Sequence, residues 1–161
     1  MKALLALVPA LALLIIGCGS LVQTASAAGQ RWPVEKTDAQ WKKQLTPQQY
    51  AILRQADTEP PFKGRYHDNH KPGDYYCVAC GQHLFSSKQK FDSGTGWPSF
   101  WAPISPKAVA SKRDTSDGMD RNEVLCARCG GHLGHVFDDG PKPTGKRYCM
   151  NGLVLEFRPG K

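Results

Sequence analysis

Four of the six cysteines occur as two matching Cys-x-x-Cys-Gly units, and this repetition is the first sign of chemistry in the sequence. The four are Cys77, Cys80, Cys126 and Cys129. Thiolates separated by two residues can occupy adjacent corners of a tetrahedron, and two such pairs form a closed zinc site with a structural role. Disulfide bonds or a redox-active Cys-x-x-Cys pair are the alternatives. Because each unit has the same following glycine, the pattern favours one structural Zn²⁺ per chain.

Cys149 belongs to neither unit and lies in the segment Arg147–Asn151, whose residue types predict a strand. The two-residue period of a strand places Arg147, Cys149 and Asn151 on one face. A guanidinium beside a thiol stabilises the thiolate, which is the reactive species. The segment therefore offers Cys149 as a nucleophile, and a buried, inert cysteine is the alternative.

Two histidines, His132 and His135, precede Cys149 in the segment His-Leu-Gly-His. Imidazoles can orient a reacting group or deliver protons near neutral pH. Residues three apart on a straight strand point to opposite faces, so both rings can reach one site only if Gly134 forms a bulge or turn. A second metal site that includes Asp138 or Asp139 is the alternative use of these histidines.

A glycine-rich loop over Phe91–Trp101 holds two of the four tryptophans. Exposed aromatic rings on such a loop can form a small apolar slot for a methyl group, and sulfur–aromatic contacts suit a thioether-like ligand. We expect Trp97 and Phe100 to contact the ligand, although filling the core is the commoner role of such rings.

The elements that must position these residues are short. Two helices are predicted, over Asp38–Leu45 and from a capping box at Thr46–Gln49 to about Gln55. Beyond Phe62 the pattern changes to strands separated by turns. The predicted strands are Asp74–Val78, Leu84–Phe85, Val124–Cys126, Val136–Phe137 and Arg147–Phe157. The fold class is therefore mainly β, an antiparallel, barrel-like domain with a short N-terminal helical cap and a structural zinc site.

The chain begins with an apolar signal-like region over residues 1–27. The segment Ile15–Cys18 is similar to the lipobox of bacterial lipoproteins, in which the cysteine is acylated, so Cys18 is a candidate membrane lipid anchor. Cleavage after Ala27 and an uncleaved anchor are the alternatives. We expect a linker over residues 28–37 and a catalytic domain over 38–158. Export to the periplasm, or anchoring as a lipoprotein that faces outside the cytoplasm, follows from this organisation.

The formal net charge of +7 does not indicate a nucleic-acid partner. The cations do not cluster, and they alternate with acids in the segments Lys112–Asp114 and Asp120–Glu123. We interpret these charged residues as a solvated surface. We also expect the protein to be a monomer. From Ala28 onward, Leu, Ile, Val and Phe supply only 21 of 134 residues, so metal and aromatic rings must supply part of the stability.

Several ordered motifs of this chain resemble those of the B-type methionine sulfoxide reductases. They lie at Thr46–Tyr50, Thr58–Phe62, Phe91–Phe100, His132–Pro141 and Arg147–Asn151, and the resemblance extends over Asp38–Phe157. It implies thiol-dependent reduction of methionine (R)-sulfoxide in proteins and peptides, and thereby repair of oxidised proteins.

The resemblance also implies roles for single residues. Cys149 would attack the sulfoxide sulfur and become a sulfenic acid. His132 and His135 would position and protonate the sulfoxide oxygen. Arg147 and Asn151 would tune the thiolate and the hydrogen bonds of the site, and Trp97 would form a wall of the methyl pocket.

One position departs from the pattern of many family members. Thr95 stands where they have a cysteine that resolves the sulfenic acid. We therefore expect recycling by an external thiol, such as a thioredoxin-like protein. A Cys/His hydrolase or acyltransferase and a zinc-knuckle binding module are the alternative functions; the first requires an oxyanion hole, and the second requires no free thiol.

Overall fold

Two short helices precede the sheets of the computed structural model, which describes residues 31–160. Helix α1 spans Asp38–Gln44 and helix α2 spans Pro47–Gln55. Both begin at a threonine that forms a capping box with a glutamine three residues later, Thr37 with Gln40 and Thr46 with Gln49. The predicted helical cap and the predicted capping box at Thr46 are confirmed, and the structure adds the capping box at Thr37.

Within residues 31–160, nine strands follow in two antiparallel sheets. In chain order, β1–β9 are Gly73–Cys77, His83–Ser86, Lys90–Phe91, Ser99–Phe100, Val109–Asp114, Arg121–Cys126, His132–Phe137, Arg147–Met150 and Leu155–Pro159. One sheet has the order β2-β1-β9, and the other has the order β3-β4-β8-β7-β6-β5. The predicted mainly β, antiparallel class is confirmed.

The predicted single strand over Arg147–Phe157 is wrong. It breaks at Asn151 into a 3-10 turn over Gly152–Val154, so that β8 lies in the six-stranded sheet and β9 in the three-stranded sheet. Strands β3, β4 and β5 were absent from the sequence prediction. Two of them have only two residues, and β5 is mostly exposed and polar, so none has the alternation that identifies a strand.

Aromatic rings take much of the space that aliphatic residues fill in other cores. Tyr75, Phe85 and Phe100 are fully buried. The rings of Phe85 and Phe100 stack with centroids 4.4 Å apart, and Tyr75 meets Phe100 at 5.0 Å in an edge-on arrangement. Helix α2 adds Ile52 and Leu53 to the same core. The low aliphatic content is therefore compatible with an ordered domain.

The described residues that precede α1 lie against the second cysteine unit. The backbone N–H of Val34 donates to the carbonyl of Arg128 over 2.8 Å, and Val34 packs against the core. The predictions for residues 1–27, including Cys18, lie outside the described residues. Among residues 31–160, no helix combines the length and apolar character needed to cross a membrane.

Candidate active site and metal centre

The two Cys-x-x-Cys units come together as one four-sulfur cluster. All four Sγ atoms lie within 4.8 Å of one another, with Cys77 and Cys129 at 3.9 Å and Cys80 and Cys126 at 3.5 Å. Tetrahedral zinc with Zn–S bonds of about 2.3 Å requires sulfurs about 3.8 Å apart, so the cluster fits such an ion. None of the five described cysteines forms a disulfide. The four predicted ligands can therefore hold one metal ion and leave it no open position.

Tight turns bring these sulfurs together. The N–H of Gly81 donates to the carbonyl of Cys77, and the N–H of Gly130 donates to that of Cys126, each over 2.8 Å. Both glycines have positive φ angles, 71° and 67°, which explains why each unit ends in glycine. Hydrogen bonds from Cys126 hold the pKa of Cys80 below its ordinary value, which favours the thiolate that a metal binds.

Cys149 occupies a central position in the six-stranded sheet. It lies on β8, directly opposite Ser99 of β4 on one side and His135 of β7 on the other. Thr95 Oγ1 lies 3.7 Å from its sulfur. The hydroxyl of Ser93 bridges those of Thr95 and Ser99 over 2.8 and 2.7 Å, so a small hydroxyl network adjoins the thiol.

Burial and the neighbouring groups act in opposite directions on the ionisation of Cys149. Burial raises the pKa of the thiol, and this effect outweighs the opposing hydrogen bond from Thr95 and the charge of Arg147. Arg147 also forms a two-pronged ion pair with Asp139 at 2.9 and 2.8 Å and lies 4.4 Å above the ring of Phe137. Cys149 is therefore a thiol at neutral pH in the protein without substrate.

The predicted bulge between the two histidines is confirmed. The register between β6 and β7 shifts so that Leu125 faces His132 whereas Val124 faces Gly134, and Gly134 has a φ of 151°. As a result the two imidazole centroids lie 5.3 Å apart. A Cβ on Gly134 would lie 2.1 Å from the carbonyl oxygen of Cys149, so only glycine allows the strands of nucleophile and histidines to approach this closely.

Each histidine is bonded to a carboxylate. Nδ1 of His132 lies 2.8 Å from Glu123 Oε1, and Nε2 of His135 lies 2.8 Å from Asp114 Oδ2. His132 is 97% buried, and its burial lowers its pKa, so its ring is neutral and its Nδ1–H donates to Glu123. The sequence analysis missed both carboxylates because it interpreted their segments as solvated charge.

Asp114 is held by several donors besides the histidine. Its carboxylate accepts from the backbone N–H and hydroxyl of Ser116 at 2.9 and 2.6 Å and from Arg121 at 2.8 Å. The bonds from Ser116, His135 and Arg121 hold the pKa of Asp114 well below its usual range. The pairing of β5, β6 and β7 brings these charges together. The sign of this arrangement in the sequence is that Arg121 and Glu123 belong to the strand that adjoins the histidines.

The alternative second metal site is not formed. Asp139 pairs with Arg147, and Asp138 pairs with Lys146. Within residues 31–160, the four-cysteine cluster is the only group of three or more His, Cys, Asp or Glu side chains spaced to bind a metal. The histidines are therefore available for proton chemistry.

Cys149 opens into a cavity of about 130 Å³. The lining residues are Thr58, Trp97, Arg121, Gly134, His135, Phe137, Cys149, Met150 and Asn151. The cavity thus brings together three predicted residues besides Cys149, namely Trp97, His135 and Asn151, whereas His132 lies behind its wall. The prediction that Phe100 contacts the ligand is wrong, because the ring of Phe100 is fully buried and stacks on Phe85.

Glu59 fixes the wall on which Trp97 and Asn151 lie. Its carboxylate accepts from the N–H groups of Gly152 and Leu153 at 2.5 and 2.8 Å, and its own N–H donates to Asn151 Oδ1 over 3.0 Å. Its carbonyl accepts the indole N–H of Trp97 over 3.0 Å. This buried residue, which the sequence analysis did not single out, connects the turn after Cys149 to the aromatic loop.

Comparison with known proteins agrees with this combination of fold and site. The family model of the SelR domain matches residues 45–159. A peptide methionine sulfoxide reductase MsrB of Methanosarcina barkeri is 60% identical over 125 residues, which cover 78% of this chain and 88% of the relative. One of Thioalkalivibrio sulfidiphilus is 57% identical over 126 residues, covering 78% of this chain and 92% of the relative. The chain belongs to the SelR-domain family of MsrB peptide methionine sulfoxide reductases, and the resemblance inferred from its motifs is confirmed.

Proposed function

We propose that the protein reduces methionine (R)-sulfoxide in proteins and peptides to methionine, with Cys149 as the nucleophile. One observation carries this proposal: Cys149 opens into a small cavity directly across a strand pair from His135, and Trp97 lines the same cavity. An apolar indole suits the substrate methyl group, and an imidazole suits the sulfoxide oxygen. The family membership supports the same chemistry.

The proposed first step consumes no external proton. Cys149 Sγ attacks the sulfoxide sulfur, and the oxygen passes from the substrate to Cys149, which leaves a thioether and a sulfenic acid. The proton that begins on the Cys149 thiol ends on the sulfenic oxygen, so atoms and charge balance. His135 lines the cavity and is the residue we assign to transfer this proton at the sulfoxide oxygen.

We assign supporting roles to other residues in and around the cavity. Neutral His132 contacts the ring of His135 edge-on and keeps that ring in place. Glu123 fixes the tautomer of His132. Arg147 lowers the cost of negative charge on Cys149, while Asn151 keeps the turn after Cys149 in place through its bonds to Glu59 and Leu133. These are positioning and electrostatic roles.

We propose that an external thiol, such as that of a thioredoxin-like protein, recycles the sulfenic acid. One thiol displaces the oxygen as water and forms a mixed disulfide, and a second thiol releases Cys149 with formation of a disulfide in the reductant. Thr95 supports this proposal because its hydroxyl, 3.7 Å from Cys149, stands where a resolving thiol would be needed. After one turnover without reductant, mass analysis should find no internal disulfide in the wild type and one in Thr95→Cys. An internal Cys149 disulfide in the wild type contradicts the proposal.

We propose that the four-cysteine cluster binds zinc. Four thiolates with tetrahedral spacing match the preference of this ion. The ion would supply folding energy, and Cys77, Cys80, Cys126 and Cys129 would hold it with no part in the redox steps.

We infer that the protein acts outside the cytoplasm, in the periplasm or anchored through Cys18. The support comes from the sequence of residues 1–27. If Cys18 is acylated, Cys18→Ala should move the protein from the membrane fraction to another fraction. Mass analysis of the mature N-terminus then distinguishes acylation at Cys18 from cleavage after Ala27. Recovery of the unprocessed chain in the cytoplasm would contradict the inference.

The deciding experiment is an assay of the separate sulfoxide epimers with dithiothreitol. We expect the wild type to consume the R epimer and not the S epimer, and Cys149→Ser to lose the activity while it keeps its metal and fold. Hydrolysis of esters or amides by the same cysteine would favour the hydrolase alternative. Unchanged behaviour of Cys149→Ser in every assay would favour a binding module.

A further inference from the structure

A second cavity adjoins the catalytic one, and none of the proposed catalytic steps uses it. It is a groove of about 330 Å³ between helix α2 and the segment Asp57–Pro60. The lining residues are Pro47, Gln48, Ala51, Ile52, Asp57, Thr58, Glu59, Pro60 and Leu153. Thr58 lines both cavities, so the groove borders the site that holds Cys149.

The catalytic cavity is too small for a peptide. Its volume of about 130 Å³ is well below the roughly 300 Å³ at which pockets for whole small molecules begin. It can accept one side chain, so the remainder of a polypeptide substrate must lie outside it. The groove, with about 330 Å³, offers the adjoining space.

The segment that separates the two cavities is rigidly attached to the catalytic one. Glu59 donates its N–H to Asn151 and accepts the indole N–H of Trp97 at its carbonyl, each over 3.0 Å. A chain that lies along this segment therefore contacts a wall that also positions the catalytic residues. Binding of a polypeptide in the groove therefore helps to align the sulfoxide with the catalytic residues.

We propose that this groove, defined as the space between α2 and Asp57–Pro60, binds the polypeptide that flanks the methionine sulfoxide. The proposal rests on the proposed function and adds a subsite to it. The lining indicates an apolar flanking side chain, because Ala51, Ile52 and Leu153 contribute apolar surface. The buried carboxylate of Glu59 is already paired with two backbone N–H groups, so it presents no free anion to the groove.

The test compares two substrates in two matched variants. Ala51→Trp fills the groove from α2, while Ala39→Trp puts the same side chain on the exposed surface of α1, away from the groove. The substrates are a peptide with an apolar residue beside methionine (R)-sulfoxide, and N-acetyl-methionine-(R)-sulfoxide amide, which has no flanking residues. We expect Ala51→Trp to lower kcat/KM about ten-fold for the peptide through KM and to leave the amide unchanged. We expect Ala39→Trp to change neither.

The outcomes separate this proposal from the proposed function. Equal kcat/KM of wild type and Ala51→Trp with the peptide overturns the groove proposal and leaves the reductase activity standing. Failure of the wild type on both substrates overturns the proposed function. If Ala51→Trp loses metal or helicity, Gln48→Trp at the exposed rim of the groove replaces it. Equal losses on peptide and amide in that folded variant also overturn the groove proposal.

Discussion

Two opposing influences act on the thiol of Cys149. Burial disfavours the thiolate, whereas the hydroxyl of Thr95 and the charge of Arg147 favour it, and burial dominates. The raised pKa means that the thiolate fraction at neutral pH is smaller than that of an exposed cysteine and grows as the pH rises. The raised pKa limits non-specific oxidation of Cys149, because oxidants attack the thiolate rather than the thiol.

The hydroxyl of Thr95 is the strongest of the groups that lower the pKa of Cys149. In Thr95→Val, which keeps the shape and removes the hydroxyl, we expect the pKa of Cys149 to rise further. Loss of a hydrogen bond worth about 1 kcal/mol should slow alkylation of Cys149 by iodoacetamide roughly five-fold at neutral pH. Peptide mapping by mass spectrometry across a pH series measures this rate for Cys149 alone. An alkylation profile identical to that of the wild type would show that the hydroxyl does not act on the sulfur.

Glu123 is expected to act through His132, because its carboxylate bonds to the buried imidazole. Glu123→Gln removes the negative charge that raises the pKa of His132, so we expect His132 to protonate only at a lower pH and kcat to fall about ten-fold, equivalent to about 1.4 kcal/mol. NMR titration of the imidazole and steady-state kinetics measure the two effects. Lys112, 3.9 Å from Glu123 and largely exposed, supplies the control: Lys112→Ala should leave both quantities unchanged.

At the scale of elements, the bulge in β7 decides whether nucleophile and histidines meet. Gly134→Ala would put a Cβ 2.1 Å from the backbone oxygen of Cys149, which β7 and β8 can relieve only by separating. We expect a loss of about 3 kcal/mol or more in the free energy of unfolding, with loss of activity. Gly145→Ala is the matched control. Its φ is 70°, but no atom lies near the added Cβ, so its cost should be about 1 kcal/mol. Urea denaturation compares the two, and equal costs would refute the close-approach argument.

The elements that the sequence predicts best are those whose signals are local. The capping box at Thr46 and the need for a bulge at Gly134 depend on neighbouring residues only. The break after β8 depends instead on Glu59, which is remote in sequence and binds the N–H groups of Gly152 and Leu153. The alternation of Arg147–Phe157 gave no sign of this contact.

The active-site charges were missed for a related reason. Asp114 and Glu123 alternate with cations, and such a pattern is typical of a solvated strand. Only the order β5-β6-β7 in the sheet places these carboxylates beside the histidines. Cys149 and the four clustered cysteines could be singled out because their candidate chemistry is evident in residue type and spacing, whereas Asp114 and Glu123 reach the histidines only through strand pairing.

For the whole molecule, the four-cysteine cluster connects the two sheets. Cys77 ends β1 in the three-stranded sheet, and Cys126 ends β6 in the six-stranded sheet, so a bound ion crosses the boundary between them. The catalytic cavity is lined by residues of the six-stranded sheet and by Thr58, Trp97 and Asn151, which lie outside the strands. A metal that fixes the sheets together would stabilise this arrangement without touching the substrate.

Removal of one ligand should therefore unfold the protein before it alters the chemistry. We expect Cys77→Ser to lose the metal and at least 3 kcal/mol of unfolding free energy, because the remaining cysteines lose the ion that links the two sheets. Cys149→Ser is the matched control, since it removes a thiol of the same domain and should keep both metal and stability. Metal analysis with thermal denaturation measures these changes. A metal-free Cys77→Ser protein with wild-type stability and reduced kcat would instead assign the ion to catalysis, which the closed coordination of four thiolates argues against.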